Sequence, residues 1–403
     1  MIALILAQTI AISGGTVHPV SGPRIENATV LIRNGRIEAV GSNVPVPADA
    51  LRIDATGKWV TPGLIDGAGQ LGLVEISAVA ETREAGLQDT AIAAAFTVTE
   101  GLNPASMLIP VARIEGVTTA LATPAGGGLI GGQAAMIDLD GSTVEAMVVK
   151  SPAAMVAYLH EGAKDAGGGS RAGVAQRLRH VFDDAREYER RRADFSRAQM
   201  QPLAAPAADL EALLPVLRGE LPLVVVANRR SDIETALRIA RQYSLRLVLA
   251  GAAEGWMIAD RIAAAGVPVL VQPMDNIPSY DALGIRYENA AALARAGVTV
   301  VLLETSAHDA RNLRQQAGNA VSYGMTWEAA LRAVTLSPAT VFGIADRYGS
   351  LEPGKVANVI VWSGDPFEFS TAVEHVFIRG REIPLTSRQT ELRERYKTLP
   401  PKY

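Results

Sequence analysis

The chain contains no cysteine. Disulfide bridges, thiolate metal sites and cysteine nucleophiles are thereby excluded. Histidine is almost as scarce, with five in 403 residues: His18, His160, His180, His308 and His375. Neither charge sign is concentrated. Lys plus Arg number 38 against 42 Asp plus Glu, a net charge of -4. Phosphate binding needs a dense basic surface, so nucleic acid is not expected as a partner. The stretch Arg190, Arg191, Arg192 sits among Asp183, Asp184, Glu187 and Glu189 and reads as one solvated helix face. No apolar run approaches the ~18 residues that span a bilayer, so a soluble protein without a membrane span is expected.

What is present is apolar. Hydrophobic residues make up 48% and charged residues 20%, which supplies a full-sized core and excludes a disordered chain. At ~150 residues per domain, the length points to two or three domains. The first eight residues, MIALILAQ, read either as the tail of a signal peptide lacking its basic start or as a ragged first strand. The two readings put the protein outside the cytoplasm or inside it, and localisation stays open.

Both ends of the chain read as short β-structure. TIAISGGTVHP, ATVLIRNGRIEAVGS and LRIDATGKW alternate apolar and polar residues between Gly-rich and Pro-rich turns. Asn34-Gly35 is a strong two-residue hairpin signal, because a type I′ turn needs positive φ at both positions. Near the other end, KVANVIVWSGDP and EHVFIRGREIP read the same way.

The middle alternates short strands with Ala-rich helices. Strands are expected at VTTALA from Val117, LVVVA from Leu223, LRLVLA from Leu245, VPVLV from Val267 and VTVVLL from Val298. Between them fall helices such as SDIETALRIARQYS, with Ser231 as N-cap and Glu234 at the capping-box position. This alternation fits an α/β chain whose (β/α)8 TIM-like barrel typically takes ~250 residues. Doubly wound open sheets share the pattern. The expected division is a composite β-sandwich from residues 1–62 plus 346–403 and a barrel over 63–345. A helical insertion is expected at about 151–222.

Three ordered segments then add a resemblance. WVTPGLIDGAGQLGL stands at the junction between the β-rich start and the alternating middle. ALRAVTLSPATVFGIADRYGSLEPGKVANVIVWSGDP closes the middle, and SGGTVHPVSGPRIENATVLIRNGRIEAVG opens the chain. Together they resemble the amidohydrolase superfamily, in its imidazolonepropionase-like and dihydroorotase-like branches. The resemblance implies a sandwich beside a barrel, one or two divalent metals at the strand ends, and hydrolysis of non-peptide C–N bonds. Zinc would activate the attacking water by lowering its pKa to ~7.

The residues depart from that pattern. The His-x-His of the first barrel strand falls on Ala68 and Gln70. The next ligand position falls on Ala227, followed by Asn228, and the one after on Ala252 and Ala253. The final Asp, ligand and general base in the family, maps near Ser306. Lys150 ends the expected strand EAMVVK but lacks partners for a bridging role. Of the five histidines only His308 is expected near a barrel strand end. No resident cofactor is expected, and zinc or another divalent metal would need a replacement site.

Glu304, His308 and Asp309 are the replacement candidates, with Asp66 and Asp275 also near strand ends. A His–carboxylate set could work as base and orienter without metal. The alternative is that His308 and Asp309 merely start the helix DARNLRQQAGNAVSYG. The Gly-rich loop from Pro124 to Gln133 could cradle an anion or pack over the barrel mouth, and it lacks the Lys-Ser/Thr of a P-loop. Trp256 and Trp327 read as core anchors.

Two functions follow: a C–N hydrolase with a rebuilt site, or a non-catalytic member. The latter would bind a small-molecule ligand, form a homo-oligomer, or pair with an active paralogue.

Overall fold

Alternating strands at both ends of the chain meet in one sheet. In the computed structural model these are β1 (Thr9–Val17), β2 (Ile25–Arg33), β3 (Arg36–Gly41), β4 (Leu51–Asp54) and β5 (Trp59–Pro62). The barrel strands follow: β6 (Leu64–Gly69), β7 (Val117–Ala122), β8 (Ile130–Asp138), β9 (Val148–Tyr158) and β10 (Leu223–Ala227). Then come β11 (Leu247–Gly251), β12 (Val269–Val271) and β13 (Val300–Leu302). The chain finally returns to the first sheet with β14 (Val359–Trp362), β15 (Val373–Ile378) and β16 (Arg381–Ile383). The structure describes residues 9–400 except 88–89, 127, 198, 200, 276 and 399, so the N-terminal octet lies outside the described residues.

The first sheet runs β16-β15-β14-β5-β1-β2-β3, with β4 pairing β1 off this path. Asn34 and Gly35 take φ of 53° and 75° between β2 and β3, the left-handed pair that the hairpin requires. Ile12, Val30, Val60, Val361 and Phe377, from five different strands, are fully buried in one cluster of this sheet.

The second sheet orders its eight strands β13-β12-β11-β10-β9-β8-β7-β6 and nearly closes on itself. Its Val- and Leu-rich strands are buried on both faces, as parallel barrel strands must be. β8 alone is reversed, pairing antiparallel with both β7 and β9. At the seam between β13 and β6, Gly67 lies against Leu302, where an added Cβ would stand 3.0 Å from the carbonyl oxygen.

Several expectations are corrected. The helical segment begins later than Ser151, because residues 151–158 complete β9 against β8 and β10. Their Ala-rich run reads as helix in isolation, but cross-strand pairing and full burial override that preference. Lys150 lies near the start of β9 rather than at a strand end, after the short helix Val144–Met147, and its Nζ donates to Phe342 O at 2.8 Å. Ser231 is not a cap: the helix begins at Arg230, and Arg230 N donates to Glu254 Oε2 at 2.8 Å. The Gly-rich stretch is half strand, since β8 starts at Ile130.

Candidate functional site

The barrel strands end around a cavity of about 610 Å³. Val156 of β9, Val224 and Val226 of β10, Val271 of β12 and Leu303 after β13 give it an apolar lining. Such a cleft at the carboxyl ends of barrel strands is where this architecture places its chemistry. Pro124, Ala125 and Gly126 of the Gly-rich loop also line it, which puts that loop at the mouth.

Polar side chains on the wall are mostly committed to the protein. Tyr158 donates to Pro124 O at 3.1 Å, and burial pushes its hydroxyl up to about 12. Thr123 Oγ1 donates to Gly69 O at 2.9 Å. Asn289 donates to Ala252 O at 3.0 Å and accepts from Trp256 N at 2.9 Å. Gln272 donates to Glu304 Oε2 at 2.9 Å and accepts from Thr305 Oγ1 at 3.1 Å.

Asn228, one residue past β10, belongs to a wider network. Its Nδ2 donates to Asp281 Oδ2 at 3.0 Å. Asp281 Oδ1 accepts from Arg171 Nη2 at 2.7 Å and from Glu161 N at 3.2 Å. Arg171 also donates through Nε to Asp232 at 3.0 Å. Burial alone would raise the Asp281 carboxyl, but hydrogen bonds from Arg171 and Asn228 outweigh it and hold it below the usual range. The helix Arg171–Arg190 is thereby tied to the cavity wall.

Beneath the wall lie two carboxyls. Asp66 is fully buried; its Oδ1 accepts from Glu304 N at 3.0 Å, and its Oδ2 has no partner among the described residues. Burial holds it well above the carboxylate range. Glu304 accepts from Gln316 Nε2 at 2.6 Å and from Gln272. Burial raises it to about 7 against the opposing Gln316 bond, and the charges of Asp309 and Asp275 add to the rise.

The three residues singled out as replacement candidates make no hydrogen bond to one another among the described residues, although the Asp309 charge reaches Glu304. Glu304 is 2% exposed and does not line the cavity. His308 is exposed, and Asp309 precedes the short turn Ala310–Asn312, where Asn312 Nδ2 reaches its carboxylate at 3.4 Å. Asp275 lines the cavity from an exposed position at its rim. Of the positions that the sequence resemblance sets against the family's ligands, Ala68 and Gln70 face the cavity, Ala227 and Ala252 are buried, and Ser306 is half-buried. Among the described residues, no group of three His, Asp or Glu side chains is placed to share a metal ion.

His160 corrects another expectation. It stands two residues past β9, beside a barrel strand end, and packs edge-on against Tyr158 with 5.4 Å between ring centroids. Burial lowers its pKa, with Asp281 opposing. Trp256 and Trp327, expected as core anchors, are half-buried. Trp256 donates to Gly284 O at 2.8 Å beneath Arg286, and Trp327 packs 4.6 Å from the His18 ring. Sequence reasoning gave no weight to Arg171, Asp281, Gln272 or Gln316, because their roles exist only through long-range contacts.

A nearly closed barrel with its cavity at the strand ends, beside a sheet built from both ends of the chain, defines the architecture of barrel hydrolases with a composite second domain. The chain belongs to the amidohydrolase superfamily. It is similar to the crystal structure of an amidohydrolase from Thermotoga maritima MSB8, with 30% identity, a TM-score of 0.85, and coverage of 93% of this chain and 99% of that one. The amidohydrolase family profile matches residues 229–383. The chain is 26% identical over 387 residues to amidohydrolase tasK of Hapsidospora irregularis, and this match spans 39% of that protein's length. It is also 27% identical over 381 residues to imidazolonepropionase of Pseudomonas putida, covering 84% of this chain and 88% of that protein.

Proposed function

We propose that this chain is a small-molecule-binding member of the superfamily that does not perform metal-dependent hydrolysis. The observation that carries the reading is the chemistry of the cavity wall. The Ala68 side chain has no donor atom, Gln70 and Asn228 offer neutral amides, and among the described residues the one carboxylate on the wall is the exposed Asp275. Zinc sites need imidazoles, thiolates or carboxylates converging within bonding distance. The donor set present does not fit such an ion, so no hydrolytic step is routed through one.

The test is metal content by mass spectrometry, on full-length protein from cells grown with added zinc and manganese. Metal well below one per chain after dialysis is expected. Near-stoichiometric metal that survives dialysis overturns the reading.

A second reading, C–N hydrolysis with Glu304 as a metal-free general base, draws support from the Glu304 carboxyl. It is poised at about 7 and lies one side chain behind the cavity-lining Gln272. That reading requires turnover by metal-free protein that Glu304→Gln abolishes.

A further inference from the structure

Among the described residues, the lining of the cavity is uncharged apart from two groups at its rim. Asp275 and Arg286 are both exposed and opposite in sign, and Arg286 lies 3.8 Å over the Trp256 ring. Behind the wall, acids are bonded to cavity residues among the described residues: Glu304 to Gln272, Asp281 to Asn228, and Asp66 to the backbone N–H of Ala68 at 3.5 Å. A ligand anion in the interior would find no cationic side chain on the described lining away from the rim, and acids close behind it, of which Asp281 is already bridged to Arg171. An unpaired buried charge is among the costliest features a site can hold.

Two wall groups have hydrogen-bonding capacity left over. The Gln70 carboxamide makes no side-chain hydrogen bond among the described residues, although it lines the cavity. Asn228 is more restricted. Asp281 takes its N–H, which fixes the amide orientation and leaves Oδ1 as an acceptor against Gly251. No donor among the described residues reaches that oxygen. The rim beside it is apolar: Ile277 lines the cavity yet is 83% exposed, with Tyr280 82% and Leu283 66% exposed on the same loop. Exposed apolar side chains grouped at the mouth of a cavity are a common mark of a ligand or partner site.

We infer that the cavity takes an uncharged, largely apolar organic molecule that donates a hydrogen bond to Asn228 Oδ1, with Gln70 available to a second polar group. The inference rests on the function proposed above, because a bound divalent cation would turn the interior electropositive and favour an anion.

The experiment titrates three probes of one frame into the full chain by calorimetry: tryptophol, neutral; indole-3-acetate, an anion; and tryptamine, a cation. The neutral probe is expected to bind at one per chain and about tenfold or more tightly than either charged probe. A charged probe binding as tightly as tryptophol overturns the inference, as does no tryptophol binding up to its solubility limit. Asn228→Ala is expected to weaken tryptophol roughly three- to tenfold. Ile277→Asp alters a side chain that folding does not bury, and it is expected to weaken tryptophol while favouring tryptamine. Unchanged affinities in both variants would place the ligand elsewhere and overturn the inference. Metal is counted on the same sample. A charged probe winning on metal-free protein overturns this inference alone. Stoichiometric metal overturns the proposed function first, and the inference with it if indole-3-acetate then binds most tightly.

Discussion

The backbone N–H of Glu304 donates to Asp66 Oδ1 across 3.0 Å, so the end of the last barrel strand is fastened to the first by a buried acid. The Glu304 side chain in turn is held between Gln272 and Gln316. Burial raises both of these carboxyls, so the seam of the barrel is a point where pH acts on the fold.

Glu304 titrates at about 7 in the folded protein against an ordinary value of 4.5. A carboxyl with a raised folded pKa holds its proton more tightly in the native state, so it favours folding below the unfolded value. That contribution is lost as pH rises from about 4.5 through about 7. The midpoint of thermal unfolding should fall across this window, and Glu304→Gln should flatten the fall. Calorimetric scans at fixed ionic strength from pH 4.5 to 8 check this; an unchanged slope in the variant would contradict it.

Gly251 takes a φ of +79° at the end of β11, and an added Cβ would collide with Asn228 Oδ1. Gly251→Ala should cost about 2 kcal/mol, from left-handed strain together with the clash. It should also displace Asn228 from the cavity wall. Urea unfolding measures the first effect and tryptophol affinity the second.

Arg171 bridges Asp232 and Asp281 from the first turn of its helix, with a side chain 24% exposed. Removing it leaves two acids partly buried without their cation. Arg171→Met should lower stability by about 2 kcal/mol, reduced from the fully buried case by the solvent that reaches it. Because Asp281 orients Asn228, probe binding should weaken as well. Denaturant titration that left stability untouched would show that the bridge is only a surface pair.

The fold was legible where local chemistry and tertiary structure agree. Asn34-Gly35 announces its hairpin because few other residue pairs tolerate that backbone. The Val-rich strands announce themselves because both their faces are buried. β8 was hidden because Gly131 and Gly132 look like loop residues. In the fold, added Cβ atoms there would meet Tyr158 and Phe96 at under 3 Å, so these glycines serve close packing inside a strand. Ser231 failed as a cap because a carboxylate from elsewhere, Glu254, already meets the first helical N–H. At the site, Ala68 and Gln70 were legible because they follow the Pro-Gly-Leu-Ile-Asp segment that carries the family resemblance. The Arg171–Asp281–Asn228 chain could not, because its members lie 110 and 53 residues apart in sequence.

Asn358 joins the two sheets. Its Nδ2 donates to Asp138 Oδ1 and to Thr119 Oγ1, each at 3.1 Å, and its Oδ1 accepts from Arg379 N at 2.8 Å. Asn358→Ala should cost about 2–3 kcal/mol by leaving buried polar partners unsatisfied. Asn358→Asp should cost at least as much, because it sets a second carboxyl against Asp138. Chemical denaturation of both variants decides the point; a neutral Ala variant would mean that water takes over the bonds.

β5 pairs with β14, Val359 against Pro62, across about three hundred residues of intervening chain. During synthesis, β5 therefore leaves the ribosome with an open edge that stays uncovered until nearly the whole chain has been made. The barrel must gather itself while the sheet that frames it is still incomplete, and contacts this distant in sequence form slowly. A nascent chain stalled before Val359 should present that edge to chaperones or to other unfinished copies. The costliest moment for this protein is then its birth rather than its working life.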